Sequence, residues 1–120
     1  MFKDNLYKVE ELTDNGSAIQ ATVVLDKNHK IFAGHFPGQP ILPGVCTLEI
    51  MKELIEESKG RKYKLEEAGN IKFLSLVDPE KNSTLTFEIN YSDSEGKLKV
   101  SANAKLADTS VSFKIKGVFY

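Results

Sequence analysis

One stretch limits the fold of this chain more than any other. Residues 45–58, VCTLEIMKELIEES, follow Pro43-Gly44 and stop just short of Gly60, which are entry and exit signals for a helix. Stepped at 100° per residue, Cys46, Leu48, Ile50, Met51, Leu54 and Ile55 cover more than half of the circumference. Glu49, Lys52, Glu53 and Glu56 are left in a narrow polar stripe. A helix apolar over that much of its surface has to be wrapped by other elements, and the rest of the chain offers only strands.

Those strands are read from period-two alternation. In STLTFEINY, Leu85, Phe87, Ile89 and Tyr91 take one side; in KLKVSANAKL, Leu98, Val100, Ala102, Ala104 and Leu106 do; in SVSFKIKGVFY, Val111, Phe113 and Ile115 do. The connectors SDSEG and AD are short, so the three form an antiparallel meander. Asp14-Asn15-Gly16 predicts a tight hairpin between LYKVEEL and AIQATVVL. A sixth strand is expected at NIKFLSLV, ended by Asp78-Pro79. One helix embraced by an antiparallel sheet of about six strands is an α+β fold, and 120 residues fit a single domain, 1–120, with one core.

Many function classes find no support. The net charge of −1 sets up no field for nucleic acid or an anionic membrane, and no apolar run approaches the roughly 18–20 residues of a membrane span. The start, MFKDNLYKVEEL, is not patterned as a signal peptide, and the single Cys46 fits a reducing compartment, so the expected location is cytoplasmic. Two histidines with no CxxC or HExxH predict no metal, and without GxGxxG or a Walker loop no nucleotide cofactor is expected. There is no GxSxG elbow.

What remains is the run before and into the helix, residues 34–49, GHFPGQPILPGVCTLE, which holds three of the four prolines and three of the eight glycines. Such a concentration fixes an irregular backbone. Within it His35 can accept a proton, Glu49 can donate one if its surroundings keep it protonated, and the Gly44 amide at the helix entrance can meet developing negative charge. Together they suit proton removal next to a carbonyl. Spacing alone leaves the plainer readings open: a loop histidine, a solvated helix carboxylate, and Cys46 as a small core residue.

His35-Phe36-Pro37-Gly38, Pro40, Pro43-Gly44-Val45 and Leu48-Glu49 closely resemble the signature of beta-hydroxyacyl-acyl carrier protein dehydratases of the FabZ type. The resemblance implies the hot-dog fold, an antiparallel sheet wrapped around one long helix. It implies that His35 abstracts the α-proton of a 3-hydroxyacyl thioester while Glu49 protonates the departing hydroxyl, leaving a trans-2-enoyl thioester. It further implies that Gly44 binds the thioester carbonyl, with Phe36 and Val45 as further substrate contacts. The partner implied is an acyl carrier protein, in fatty-acid or related acyl-chain biosynthesis, with no cofactor. The assembly implied is a homodimer or trimer of dimers, with His35 and Glu49 of one site coming from different subunits. The alternatives are a hot-dog thioesterase or coenzyme A hydratase, and a non-catalytic acyl-binding subunit.

Three finer expectations follow. Glu53, where family members commonly carry Gln, stands four residues after Glu49, close enough on a helix for two carboxylates to repel and for one pKa to rise. The cluster Lys59, Arg61, Lys62 and Lys64 offers a docking patch for an acidic carrier. A substrate tunnel beside the helix is expected along Phe32, Phe36, Ile50 and Leu54.

Overall fold

Turn chemistry sets the first hairpin. Strand β1 (Tyr7–Asp14) and β2 (Ala18–Leu25) run antiparallel, and Gly16 between them adopts φ 93°, a conformation open to glycine. The Gly16 N–H donates to Asp14 Oδ1 (2.8 Å), and those of Ser17 and Ala18 donate to Asn15 Oδ1 (2.9 and 2.8 Å). The computed structural model describes residues 2–33 and 40–120. After β2 come a short helix, α1 (Lys30–Ala33), and the long helix α2 (Gly44–Lys59). Strands β3 (Leu65–Phe73), β4 (Thr84–Ser94), β5 (Lys97–Lys105) and β6 (Val111–Phe119) follow.

Among the described residues the strands form one six-stranded antiparallel sheet in the order β1-β2-β4-β5-β6-β3. The expected meander is β4-β5-β6, turned between β4 and β5 by Glu95 and Gly96, both at positive φ. Its alternation is realised as burial: Leu85, Phe87, Ile89, Leu98, Val100, Ala104, Phe113 and Ile115 all face a core shared with α2. On α2, Ile50, Met51, Leu54 and Ile55 are fully buried, each worth about 2 kcal/mol of transfer free energy. Pro43 precedes the helix in extended conformation and Gly60 ends it at φ 72°, its N–H donating to the Glu56 carbonyl (2.9 Å).

Two expectations need correction. The sixth strand begins five residues earlier than NIKFLSLV suggests and stops at Phe73; Leu74–Val77 leave the sheet. Strand β3 is an edge strand with most residues exposed and register shifts near Leu65/Glu67 and Ala68/Asn70, so it has no period-two signal to read. Nor is the helix's polar stripe solvated throughout. Glu53 is 3% exposed: its carboxylate accepts from the N–H groups of Phe2 (3.0 Å) and Lys3 (2.9 Å) and from the Tyr7 hydroxyl (3.0 Å). Glu56 is buried too and accepts from the Tyr63 N–H (2.8 Å).

Candidate active site at the entrance of the long helix

Pro43 has no side chain that can cap a helix, and the first intrahelical acceptance is by its own carbonyl, from Cys46 (2.9 Å) and Thr47 (3.3 Å). The amides of Gly44 and Val45 are therefore among the helix donors without an intrahelical acceptor. They sit at the positive end of a 16-residue helix, where negative charge is stabilised. Four residues beyond Val45, on the same face, comes Glu49, and Lys52 follows three later. Glu49 keeps 38% of its side chain exposed and pairs with Lys52 at 3.4 Å; Lys52 also reaches Glu56 at 4.0 Å. Val45 is 72% exposed, an unusual degree for an aliphatic residue on a helix otherwise so deeply buried.

Of the expected site residues, the structure brings Gly44, Val45 and Glu49 to one end of α2. His35 and Phe36 lie outside the described residues. The close approach that Gly44 permits is already used within the chain: a methyl group on its Cα would fall 2.5 Å from Cε1 of Phe73. Phe73 closes β3, tilts against Phe113 with ring centroids 5.5 Å apart, and is 57% exposed. It is the residue that sequence reading missed, since its meeting with Gly44 is set by the pairing of β3 with β6 and not by any local pattern.

Around this point lies a cavity of about 230 Å³ lined by Leu42, Gly44, Thr47, Phe73, Val77 and Phe113 among others. The expected tunnel is not where Phe32, Ile50 and Leu54 were to place it, because all three are packed into the closed core. Burial, with Glu49 nearby, pushes the Cys46 thiol up, so it is a poor thiolate nucleophile. Glu53 does not act as a second carboxylate facing Glu49, because its oxygens are taken by the Phe2 and Lys3 amides and by Tyr7.

Residues 10–114 match the family model of the ApeI-like proteins, described as ApeI dehydratase. A 3-hydroxyacyl-acyl-carrier-protein dehydratase FabZ of Halalkalibacterium halodurans is 31% identical over 120 residues, covering 91% of this chain and 85% of that protein. Two other curated dehydratases of that name, from Clostridium acetobutylicum and Acidiphilium cryptum, match over 69 and 78 residues, and the chain spans about half the length of each. Among solved structures, the dehydratase heterocomplex ApeI:P from Xenorhabdus doucetiae superposes with a TM-score of 0.76 at 21% identity, covering 93% of this chain and 96% of that one. A mutant of the thioesterase PA1618 from Pseudomonas aeruginosa superposes with a TM-score of 0.68 at 13% identity, covering 97% and 81%. The α+β hot-dog fold is shared by both, so the fold by itself does not choose the reaction.

Proposed function

The chain belongs to the ApeI-like dehydratase family, and from that premise we propose that it removes water from a 3-hydroxyacyl thioester carried on an acyl carrier protein, giving a trans-2-enoyl thioester. The observation that carries the reading is one helix end that presents the Gly44 and Val45 amides, without an acceptor among the described residues, together with a carboxylate, Glu49, on the same face. His35 takes the α-proton and the electron pair moves into the carbon–carbon bond as the β-hydroxyl leaves. Glu49 supplies the proton that makes it water. The Gly44 amide holds the thioester oxygen, where charge builds as the α-proton departs. Phe36 and Val45 line the acyl path.

The same end of the molecule carries the support for a homodimer. Val45, Phe73, Leu74 and Leu76 are all more than half exposed and lie about the helix entrance and the end of the edge strand β3. A second copy packed on that strip would bury it, and in this reading each site takes its histidine from one subunit and Glu49 from the other. The buried, unpaired Cys46 suits a reducing compartment, and we assign the reaction to the cytoplasm.

The test is turnover of 3-hydroxyacyl- and enoyl-carrier protein by the parent, His35→Ala and Glu49→Gln. Loss of about a hundredfold or more in both variants, the scale of one acid–base group, is the expected result. The fold shared with a thioesterase motivates one alternative, hydrolysis of the same thioester. Release of free thiol without change at the carbon–carbon bond would replace the dehydratase reading with that one.

A further inference from the structure

The sheet has an outer face that the reaction does not use, and its charge is uneven. Ile71 pairs with Ile115 and Phe73 with Phe113 across β3 and β6, with both β6 partners buried. The intervening pair, Lys72 and Lys114, therefore points outward, the two lysines directly opposite each other. One step along, Lys116 pairs with Asn70 and with Ser101, and Lys99 stands on β5 beside Val118. All four lysines are exposed, and none forms an ion pair among the described residues. Two acids nearby are already engaged, Glu66 by Lys97 (2.8 Å) and Glu88 by Lys105 (2.9 Å). A groove of about 310 Å³ runs between Asn70, Lys72, Ser101, Asn103, Lys114 and Lys116.

Like charges opposed across a strand pair destabilise a sheet, and here they are concentrated on one face of a chain whose net charge is −1. We propose that this face, centred on Lys72 and Lys114, is the docking surface for the acidic carrier protein that delivers the acyl chain. The inference rests on the carrier-bound reading given under Proposed function. Position supports it. Lys72 immediately precedes Phe73, whose ring lies at Gly44, so the lysines stand on the outer face next to the helix entrance, beside the strip that the second copy would cover. The basic cluster after the helix is less suitable. It lies at the other end of α2, roughly 24 Å away at 1.5 Å per residue. Its Lys59 is held by Asp93 (3.6 Å) and over the Tyr91 ring, and its Arg61 lies over Tyr63. Glu67, exposed at the far end of the face, interrupts the positive surface there; a continuous polyanion such as nucleic acid would run over it, whereas a protein partner can place its carboxylates clear of it.

The experiment is titration of fluorescently labelled apo-carrier protein with the parent, Lys72→Glu/Lys114→Glu, Lys72→Gln/Lys114→Gln and, as control, Arg61→Glu/Lys62→Glu. Turnover of the same acyl group on the carrier and on a small thioester is measured alongside. Expected are a carrier Kd raised about tenfold or more by charge reversal, a smaller rise for the glutamine pair, and no change for the control. Turnover of the small thioester stays at the parental rate. A carrier Kd unmoved by the sheet variants, or raised by the control instead, overturns the proposal, as does tighter binding of a single-stranded oligonucleotide through the same lysines. Carrier binding that depends on Lys72 and Lys114 without any dehydration would sink the reaction and leave the docking surface standing. Dehydration of the small thioester with no carrier binding would do the reverse.

Discussion

Removing the carboxylate of Glu53 tests how the N-terminal segment is tied to the helix. Glu53 accepts from the Phe2 N–H with both oxygens (3.2 and 3.0 Å), from the Lys3 N–H (2.9 Å) and from the Tyr7 hydroxyl (3.0 Å). No lysine or arginine pairs with it among the described residues, so these three donors alone offset the burial of its charge. In Glu53→Ala the three donors lose their acceptor. The two amides are partly buried and recover some water, about 1 kcal/mol each, while the fully buried Tyr7 hydroxyl does not, about 2 kcal/mol. The sum is about 4 kcal/mol, lowered toward about 3 by no longer burying a charge. Glu53→Gln keeps one acceptor oxygen but turns an amide N–H₂ toward the donors, for a loss of about 2 kcal/mol.

The assay is urea denaturation, read as a fall in midpoint with unchanged slope. At about 2.1 cal/mol/K per residue, 3 kcal/mol in a chain of 120 residues lowers Tm by about 12 °C. Tyr7→Phe provides the cycle: it costs about 1 kcal/mol alone, but once Glu53 is alanine it regains most of the roughly 2 kcal/mol lost through the unpaired hydroxyl. A loss below about 1 kcal/mol in Glu53→Ala, or additive effects of the two substitutions, would refute the reasoning and show that residues 2–7 are held by packing alone.

Gly44→Ala gains up to about 1 kcal/mol of helix propensity but meets the Phe73 ring, so it should destabilise the parent and stabilise Phe73→Ala; the same sign in both backgrounds would mean that the ring yields freely. At Gly117 a methyl group would lie 2.8 Å from the Glu67 carbonyl oxygen, a backbone atom, and Gly117→Ala should cost about 1–3 kcal/mol by urea denaturation. The Tyr91 hydroxyl donates to Asp14 (2.6 Å), holding that carboxyl below its ordinary range and the phenol up to about 12. Asp14 therefore adds stability above the unfolded carboxylate range, and this is lost as pH falls through its lower folded pKa. The stability gap between parent and Tyr91→Phe should be open at pH 7 and narrow below about pH 3.8. A gap unchanged in acid would refute the link. An ultraviolet pH titration of the parent should show one tyrosine step near 12 that Tyr91→Phe lacks.

The parts of the fold that could be read in advance are those specified by neighbours in sequence. Pro43-Gly44 and Gly60 bound the long helix almost to the residue, Asn15-Gly16 makes the first hairpin, and alternation marks β4, β5 and β6 because one of their faces is buried. Strand β3 has little to bury, so the expected strand at NIKFLSLV caught only its last residues, 70–73, and its start is set by the pairing with β6. Glu53 looked like a solvated helix carboxylate because its donors lie fifty residues away. The site divides in the same way. Gly44 and Glu49 follow from one helix, whereas Phe73 against Gly44 and Lys72 against Lys114 follow from a strand pair joining distant segments. These two features are consecutive residues of β3, pointing to opposite faces. The edge strand thus relates both sides of the sheet to the helix entrance: Phe73 shapes the cavity beneath, and Lys72 charges the surface above. A substitution that slipped the β3–β6 register by one residue would exchange the two faces, so the acyl path and the charged outer surface should fail together in such a variant, while Glu49 and the Gly44 amide, both on α2, stay in place.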